Sequence, residues 1–225
     1  MTGGRDVVLR SVRASLAAAR LPAAAEPAAP AAPAPADPGA LAERFGAELG
    51  SVGGAVHGPF GEAAAREAVL DIVRQTGTRS LLAWAADSLP ISGLLEAAEG
   101  AGAGRCDPDL PTDPAARRER LSVLGEAGLG LTGAEAGLAD TGSLVLRSGA
   151  GRPRLAWLLP PVHVALLPVA SLLPDMATYF ARCPGAAGDV ANLVFVTGPS
   201  RTADIELILT RGVHGPRQLH VVLLA

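Results

Sequence analysis

The feature that most constrains this chain lies in its last third. Two short aliphatic and β-branched runs, Asn192-Leu193-Val194-Phe195-Val196-Thr197 and Gln218-Leu219-His220-Val221-Val222-Leu223-Leu224, enclose a polar stretch that opens on Gly198-Pro199. Runs of this length and composition read as buried strands. Between them, Ile205-Glu206-Leu207-Ile208-Leu209-Thr210-Arg211-Gly212 reads as a helix stopped by glycine. Strand, turn, helix, turn and strand make one βαβ crossover, expected to be right-handed. A chain that closes on such a unit is directed towards parallel strands with helices over the sheet.

The same alternation runs upstream. Helices are expected over 40–49, 62–75 (ending at Gly77), 94–98 and 172–182, and over 113–127, where Asp113 is placed to cap and Pro114 to occupy the first turn. Strands are expected at 55–56, 80–84, 128–132, 144–146, 155–159 and 163–167, with a helical turn over 134–139. The two neighbours within 144–159 are expected to form an antiparallel pair, which makes the sheet mixed. The fold class is therefore α/β: an open, mixed, largely parallel sheet flanked by helices.

Length and composition bound the rest. The 225 residues suffice for one large domain or a domain with an appendage, and with 3% aromatic residues the core must be aliphatic. Residues 1–21 space apolar side chains helically with Arg5, Arg10, Arg13 and Arg20 between them, residues 22–38 are almost wholly Ala and Pro, and the folded domain is expected over 39–225. The first helix either packs on a neighbouring subunit or stands free, so a homo-oligomer is left open. A formal charge of −3 gives no basic footprint for nucleic acid. Cys106 and Cys183 lack metal-ligand spacing, which leaves no handle for a structural zinc, an iron–sulfur cluster or another bound cofactor. Residues 155–174 carry no charge, but Pro160, Pro161, Pro168 and Pro174 divide them into pieces too short to insert in a membrane. Without a secretory signal, the expected compartment is the reducing cytoplasm.

Candidate chemistry concentrates in polar turns. A helix beginning after Gly198 would present free backbone N–H groups at Ser200, Arg201 and Thr202, and the Arg201 guanidinium matches a carboxylate or phosphate. The plain alternative is that Ser200 or Thr202 only caps that helix. Asp204 and Glu206, in its first turns, are explained by the macrodipole. In Asp140-Thr141-Gly142-Ser143, two hydroxyls and a glycine could cradle an anion, or Asp and Thr could bond their own backbone. His163 and His214 are the imidazoles best placed to move a proton near neutral pH if they converge on the 200–202 turn, with Gly215 beside His214 and Asp140 as a carboxylate candidate. His163 also reads as a buried hydrogen-bonded residue. His57 has no such support, and His220 falls inside a strand.

Taken together, Gly198-Pro199-Ser200-Arg201-Thr202-Ala203-Asp204-Ile205-Glu206 and Gly212-Val213-His214-Gly215-Pro216 resemble the C-terminal signature of the LUD-domain proteins, the lactate-utilisation protein C family. The stretch from Gly130 through Asp140-Thr141-Gly142-Ser143 resembles the family's Glu-Thr-Gly-Thr region, with Asp140 and Ser143 as the departures, and Leu159-Pro160-Pro161-Val162-His163 resembles its Leu-Pro-Pro-x-His element. The resemblance implies the fold shared by glucosamine-phosphate deaminases, ribose-phosphate isomerases and CoA transferases. It also implies a component that works with iron–sulfur protein partners to oxidise L-lactate to pyruvate, itself holding a small anionic ligand or assembling the partners. Two alternatives stay open: an independent enzyme on a phosphorylated or CoA-linked substrate, and a purely structural subunit. CoA transferases use a glutamate nucleophile, but neither Glu126 nor Glu135 is read here as lying in a Gly-flanked strand-end motif.

Overall fold

A computed structural model describes residues 4–19, 37–188, 190–203, 209–211 and 215–225. The chain forms two compact units, Met1–Ala31 and Ala32–Ala225. In the first, α1 (Gly4–Ala18) places Val8, Val12 and Leu16 four residues apart on one face, and these side chains, with Val7 and Leu9, are exposed.

The second unit is built on a six-stranded sheet of order β1-β12-β7-β4-β2-β3, with every neighbouring pair parallel. Its strands are β1 (Ala55–Phe60), β2 (Ser80–Ala83), β3 (Gly104–Arg105), β4 (Leu129–Gly133), β7 (Val162–Pro168) and β12 (Gln218–Leu224). A second, four-stranded sheet has order β8-β5-β6-β9, from β5 (Ala136–Leu138), β6 (Ser143–Arg147), β8 (Leu172–Leu173) and β9 (Leu193–Val196), and its β5–β6 and β6–β9 pairs are antiparallel. The central strands β4 and β7 are almost wholly buried, which explains their predominantly apolar runs: parallel strands covered on both faces have no polar face to show, and the two polar side chains inside them, Thr132 and His163, bond to each other. Helices α2 (Pro38–Ser51) and α3 (Glu62–Thr76) pack against β1, and α3 also meets β12 and α4 (Leu94–Gly100).

Local chemistry sets the helix ends. Asp37 accepts from the Ala40 N–H at 3.0 Å ahead of Pro38. Asp113 accepts from the N–H groups of Ala115 and Ala116 at 3.1 and 2.9 Å ahead of α5 (Pro114–Leu124). Each satisfies donors that the first turn leaves unpaired.

Four local expectations are corrected. Two described pieces of the C-terminal crossover are extended where a helix was expected: β10 (Arg201–Ala203) pairs antiparallel with β11 (Leu209–Arg211), Thr202 opposite Thr210. The expected helix therefore fails over 209–211, and residues 204–208 and 212–214 lie outside the described residues. The alternation Ile205, Leu207, Leu209 fits a strand as well as a helix, the ambiguity inherent in short apolar runs. Residues 136–138 form a strand, because β6 and β8 flank them and Gly137 lets them pack tightly: a Cβ there would lie 2.6 Å from Leu167 Cδ2. Residues Arg154–Trp157 form a 3-10 turn, so β6 finds its antiparallel partners in β5 and β9. The helix expected from 172 starts at α6 (Met176–Arg182), after β8 and Pro174, with Asp175 Oδ1 accepting from the Thr178 N–H at 2.7 Å.

The sheet order locates its switch point. From β2 the chain moves outward to β3, then returns to the other side of β2 as β4, and the later strands β7 and β12 extend away from there. In open parallel sheets, ligands bind in the crevice outside the carboxyl ends of strands at such a reversal. Here those ends are Ala83 and Gly133.

Candidate functional site at the switch point

Two cavities open at these strand ends, and Trp84 walls both. Trp84 leaves β2 with its N–H still bonded to Leu131 O at 3.0 Å, and only 4% of the residue is exposed. Gly133 is the counterpart on β4. A Cβ on it would lie 3.1 Å from Ser88 O and 3.3 Å from Trp84 Cζ3, so glycine lets the indole lie against the strand end. The turn at Gly149–Arg152 is tied to the same place by the Ala85 N–H, which donates to Gly151 O at 2.7 Å. It delivers the Arg152 guanidinium over the Trp84 ring, 5.9 Å from the centroid, a cation–π arrangement.

The first cavity, about 460 Å3, is lined by Trp84, Asp87, Ser88, Glu135 and Arg152 among others. Glu135 lies two residues beyond the end of β4, and its N–H donates to Val145 O at 2.9 Å. Its Oε1 accepts from Arg147 Nη1 at 3.3 Å and from the Tyr179 hydroxyl at 3.1 Å. Burial, reinforced by the carboxylate, pushes the Tyr179 hydroxyl up to about 12, so it remains a donor. Among the described residues no carboxylate forms an ion pair with Arg152, which leaves a guanidinium inside the cavity for a ligand. The second cavity, about 550 Å3, is lined by Leu95, Cys106, Pro108 and Pro153 beside Trp84, with Arg105, Asp107 and Asp109. Burial pushes the Cys106 thiol up, keeping it protonated. Among the described residues no group of three or more His, Cys, Asp or Glu is placed to hold a metal ion. Nor is any described helix long and apolar enough to cross a membrane.

The residues singled out from the sequence sit elsewhere, in two groups. Asp140, Thr141, Gly142 and Ser143 meet the Thr197-Gly198 turn: Thr141 Oγ1 and Ser143 Oγ lie 2.8 Å apart, and Ser143 Oγ and Thr197 Oγ1 lie 2.6 Å apart. Thr141 also donates to Asp140 Oδ1 at 3.2 Å. Gly142 and Gly198 both have positive φ, 64° and 87°, where they press on Leu49 and Val52 at the end of α2. This hydroxyl chain satisfies itself. Ser143 is 3% exposed, and none of the four lines the switch-point cavities.

The other group lies at the amino ends of β7 and β12, the opposite edge from the crevice. His163 is 1% exposed and shares a hydrogen bond of 2.9 Å between Nε2 and Thr132 Oγ1. Burial lowers its pKa to about 3, so the ring is neutral. Pro161 O accepts from the N–H groups of Arg217 and Gln218, and the Ser200 N–H donates to Pro216 O at 2.8 Å, placing Gly215 beside Ser200. The Ser200 amide is therefore already used, and with β10 in place of a helix the expected helix N-terminus at 200–202 does not form. His214 lies outside the described residues, as do the side chains of Arg201 and Thr202. His57 and His220, on adjacent strands, stack and share a hydrogen bond of 3.1 Å. The sequence reading sets Glu135 aside because the segment after Gly133 reads as a helical turn, and it gives Trp84 and Arg152 no role in a site. The expected strands at 80–84 and 128–132, followed to their carboxyl ends, point to both.

The LUD domain family profile matches residues 42–224. Lactate utilization protein C of Bacillus licheniformis is 39% identical over 108 residues, 46% of this chain and 45% of that protein. Its counterpart in Halalkalibacterium halodurans is 41% identical over 103 residues, 44% of this chain and 45% of that protein. These matches span about half the length of those relatives. Uncharacterized protein YkgG of Escherichia coli is 33% identical over 159 residues, 69% of this chain and 67% of its own length. A crystal structure of a DUF162 family protein from Deinococcus radiodurans superposes with a TM-score of 0.57 at 18% identity, covering 85% of this chain and all of that one, a likeness of fold. The chain belongs to the LUD-domain family.

Proposed function

We propose that this chain is a lactate-utilisation protein C-like component of an iron–sulfur system that oxidises L-lactate to pyruvate in the cytoplasm, and that its own part is to hold a small carboxylate at the switch-point crevice. Relatives named for lactate utilisation support the setting. The observation that carries the ligand role is Arg152: a guanidinium without a carboxylate partner among the described residues, held over Trp84 in a cavity at the carboxyl ends of a parallel sheet. Guanidinium is the group best suited to bind a carboxylate with two parallel hydrogen bonds. The iron–sulfur chemistry belongs to partner proteins in this reading.

Calorimetric titration with L-lactate, pyruvate and inorganic phosphate tests it, beside Arg152→Ala and Arg201→Ala. Binding lost in Arg152→Ala and kept in Arg201→Ala supports the crevice. The reverse pattern moves the ligand to the 198–202 turn, and silence from all three titrants removes the ligand role. Turnover of a sugar phosphate or CoA ester by the isolated protein would instead mark an independent enzyme.

A second reading rests on α1, whose large aliphatic side chains are all exposed. A helix of this length is marginal alone in water, so a partner surface over Val8, Val12 and Leu16 would stabilise it. Co-purification of partners with the full chain but not with a chain lacking residues 1–38 supports such a docking arm.

A further inference from the structure

The charge balance of the 460 Å3 cavity narrows the ligand beyond "small carboxylate". Its lining brings one guanidinium, Arg152, together with two carboxylates, Asp87 and Glu135. A ligand carboxylate drawn to Arg152 therefore enters the field of two like charges, and at short range like charges in a partly desolvated site are costly. The carboxylates also differ in what they have left to offer. Oε1 of Glu135 is engaged by both Arg147 and Tyr179, while Oε2 has no donor among the described residues. An ionised carboxylate oxygen is an acceptor only. It can be satisfied by water or by a donor on the ligand, never by a carbonyl oxygen, which would bring a second acceptor against it.

Resting on the proposed ligand role of this same cavity, we infer that the site selects α-hydroxy acids over the matching α-keto acids: the ligand carboxylate pairs with Arg152, and the α-hydroxyl donates to Glu135. Tyr179 and Arg147, both bound to Oε1, are positioning residues that hold the Glu135 carboxylate in place. The volume exceeds what a three-carbon acid fills, since cavities of about 300–1,000 Å3 typically enclose far larger ligands, so a bulky group on the α-carbon is accommodated beside Trp84. A site that recognises a hydroxyl by a hydrogen bond rejects the analogue lacking it, because the protein group is then left unpaired.

The test is calorimetry on the full chain with two matched pairs, L-lactate with pyruvate and L-3-phenyllactate with phenylpyruvate. The hydroxy member of each pair should bind about tenfold tighter or more. In Glu135→Gln, whose amide offers a donor as well as an acceptor, that ratio should fall to near unity. Equal or reversed affinities in the wild-type chain overturn the selectivity while leaving the carboxylate site standing. An unchanged ratio in a folded Glu135→Gln variant overturns the role of Glu135, and tighter binding of L-alanine than of L-lactate overturns the hydroxyl as the recognised donor. Failure of every acid to bind removes the underlying ligand role itself. The wild-type ratios decide the matter even if Glu135→Gln does not fold.

Discussion

The hydroxyl of Tyr179 donates to Oε1 of Glu135 across 3.1 Å, joining helix α6 to the end of strand β4 from 44 positions away in the chain. The ring is fixed independently. It meets Phe180 and Phe195 edge-on at 5.3 and 5.9 Å between centroids, within a small apolar cluster beneath the second sheet. Besides the backbone bond from the Glu135 N–H to Val145 O, two side-chain contacts therefore link the second sheet and α6 to the switch point of the first, Glu135 with Tyr179 and with Arg147.

Tyr179 is the single tyrosine of the chain, so the ultraviolet titration of phenolate reports this contact alone. In the folded protein the midpoint should lie near 12, against about 10 in urea. Burial is the larger cause and Glu135 adds to it. Glu135→Gln should therefore lower the folded midpoint without returning it to the unfolded value. A full return would show that the carboxylate, and not burial, dominates. Because the folded group holds its proton more tightly, the associated stability is complete below pH 10 and is lost as pH rises towards 12, on the order of 2 kcal/mol.

Tyr179→Phe keeps the ring packing and deletes only the hydroxyl. A hydrogen bond to a charged acceptor contributes about 1.5–3 kcal/mol, towards the lower end here because Glu135 is partly exposed and keeps Arg147. The denaturant midpoint should fall accordingly, with an unchanged slope. No loss of stability would mean that water replaces the tyrosine at no cost.

His163 predicts acid sensitivity of a definite sign. Burial holds its folded pKa at about 3, below the unfolded value near 6.5, so its contribution is complete above pH 6.5 and drains away as pH falls towards 3. Burial also lowers the pKa values of His57 and His220, which act in the same direction, so the wild-type slope alone does not isolate His163. His163→Gln can keep a hydrogen bond to Thr132 without a titrating group. Urea midpoints measured from pH 7 to pH 4 should fall less steeply in that variant, and parallel curves would refute the assignment.

How far the sequence alone reveals this molecule depends on how local each signal is. The strands at β2, β4, β7 and β12 are legible because parallel, largely buried strands leave predominantly apolar runs. Asp113-Pro114 marked its helix because capping is chemistry between neighbours. The β5 strand was not legible, since Ala136-Gly137-Leu138 carries little strand propensity and is extended only because β6 and β8 lie on either side. The run that supplies β11 reads as a helix for a related reason: a short apolar run does not declare its period. The site suffered most. Hydroxyl-rich turns at 140–143 and 197–200 stand out in a sequence, but the fold turns the first inward onto Thr197. The Trp84–Glu135–Arg152 constellation comes from three segments that only the sheet order brings together.

The turn at Gly142 gives a last prediction, sharpened by a control in the same chain. Gly142 and Gly77 have nearly equal backbone angles, φ of 64° and 63°. A side chain at either position carries the left-handed strain of about 1 kcal/mol. Their surroundings differ entirely. A Cβ on Gly77, at the C-cap of α3, meets nothing within 4 Å, whereas one on Gly142 would lie 2.3 Å from the backbone nitrogen of Leu49 and 2.7 Å from its Cα. Backbone cannot swing aside as the tip of a side chain can, so Gly142→Ala must separate the 140–143 turn from α2 and disturb the Ser143–Thr197 hydrogen bond behind it. Gly77→Ala should cost about 1 kcal/mol and Gly142→Ala several times as much, read from denaturant midpoints. Equal losses would mean that α2 does not press on this turn, and that Gly142 is needed for its backbone angle alone.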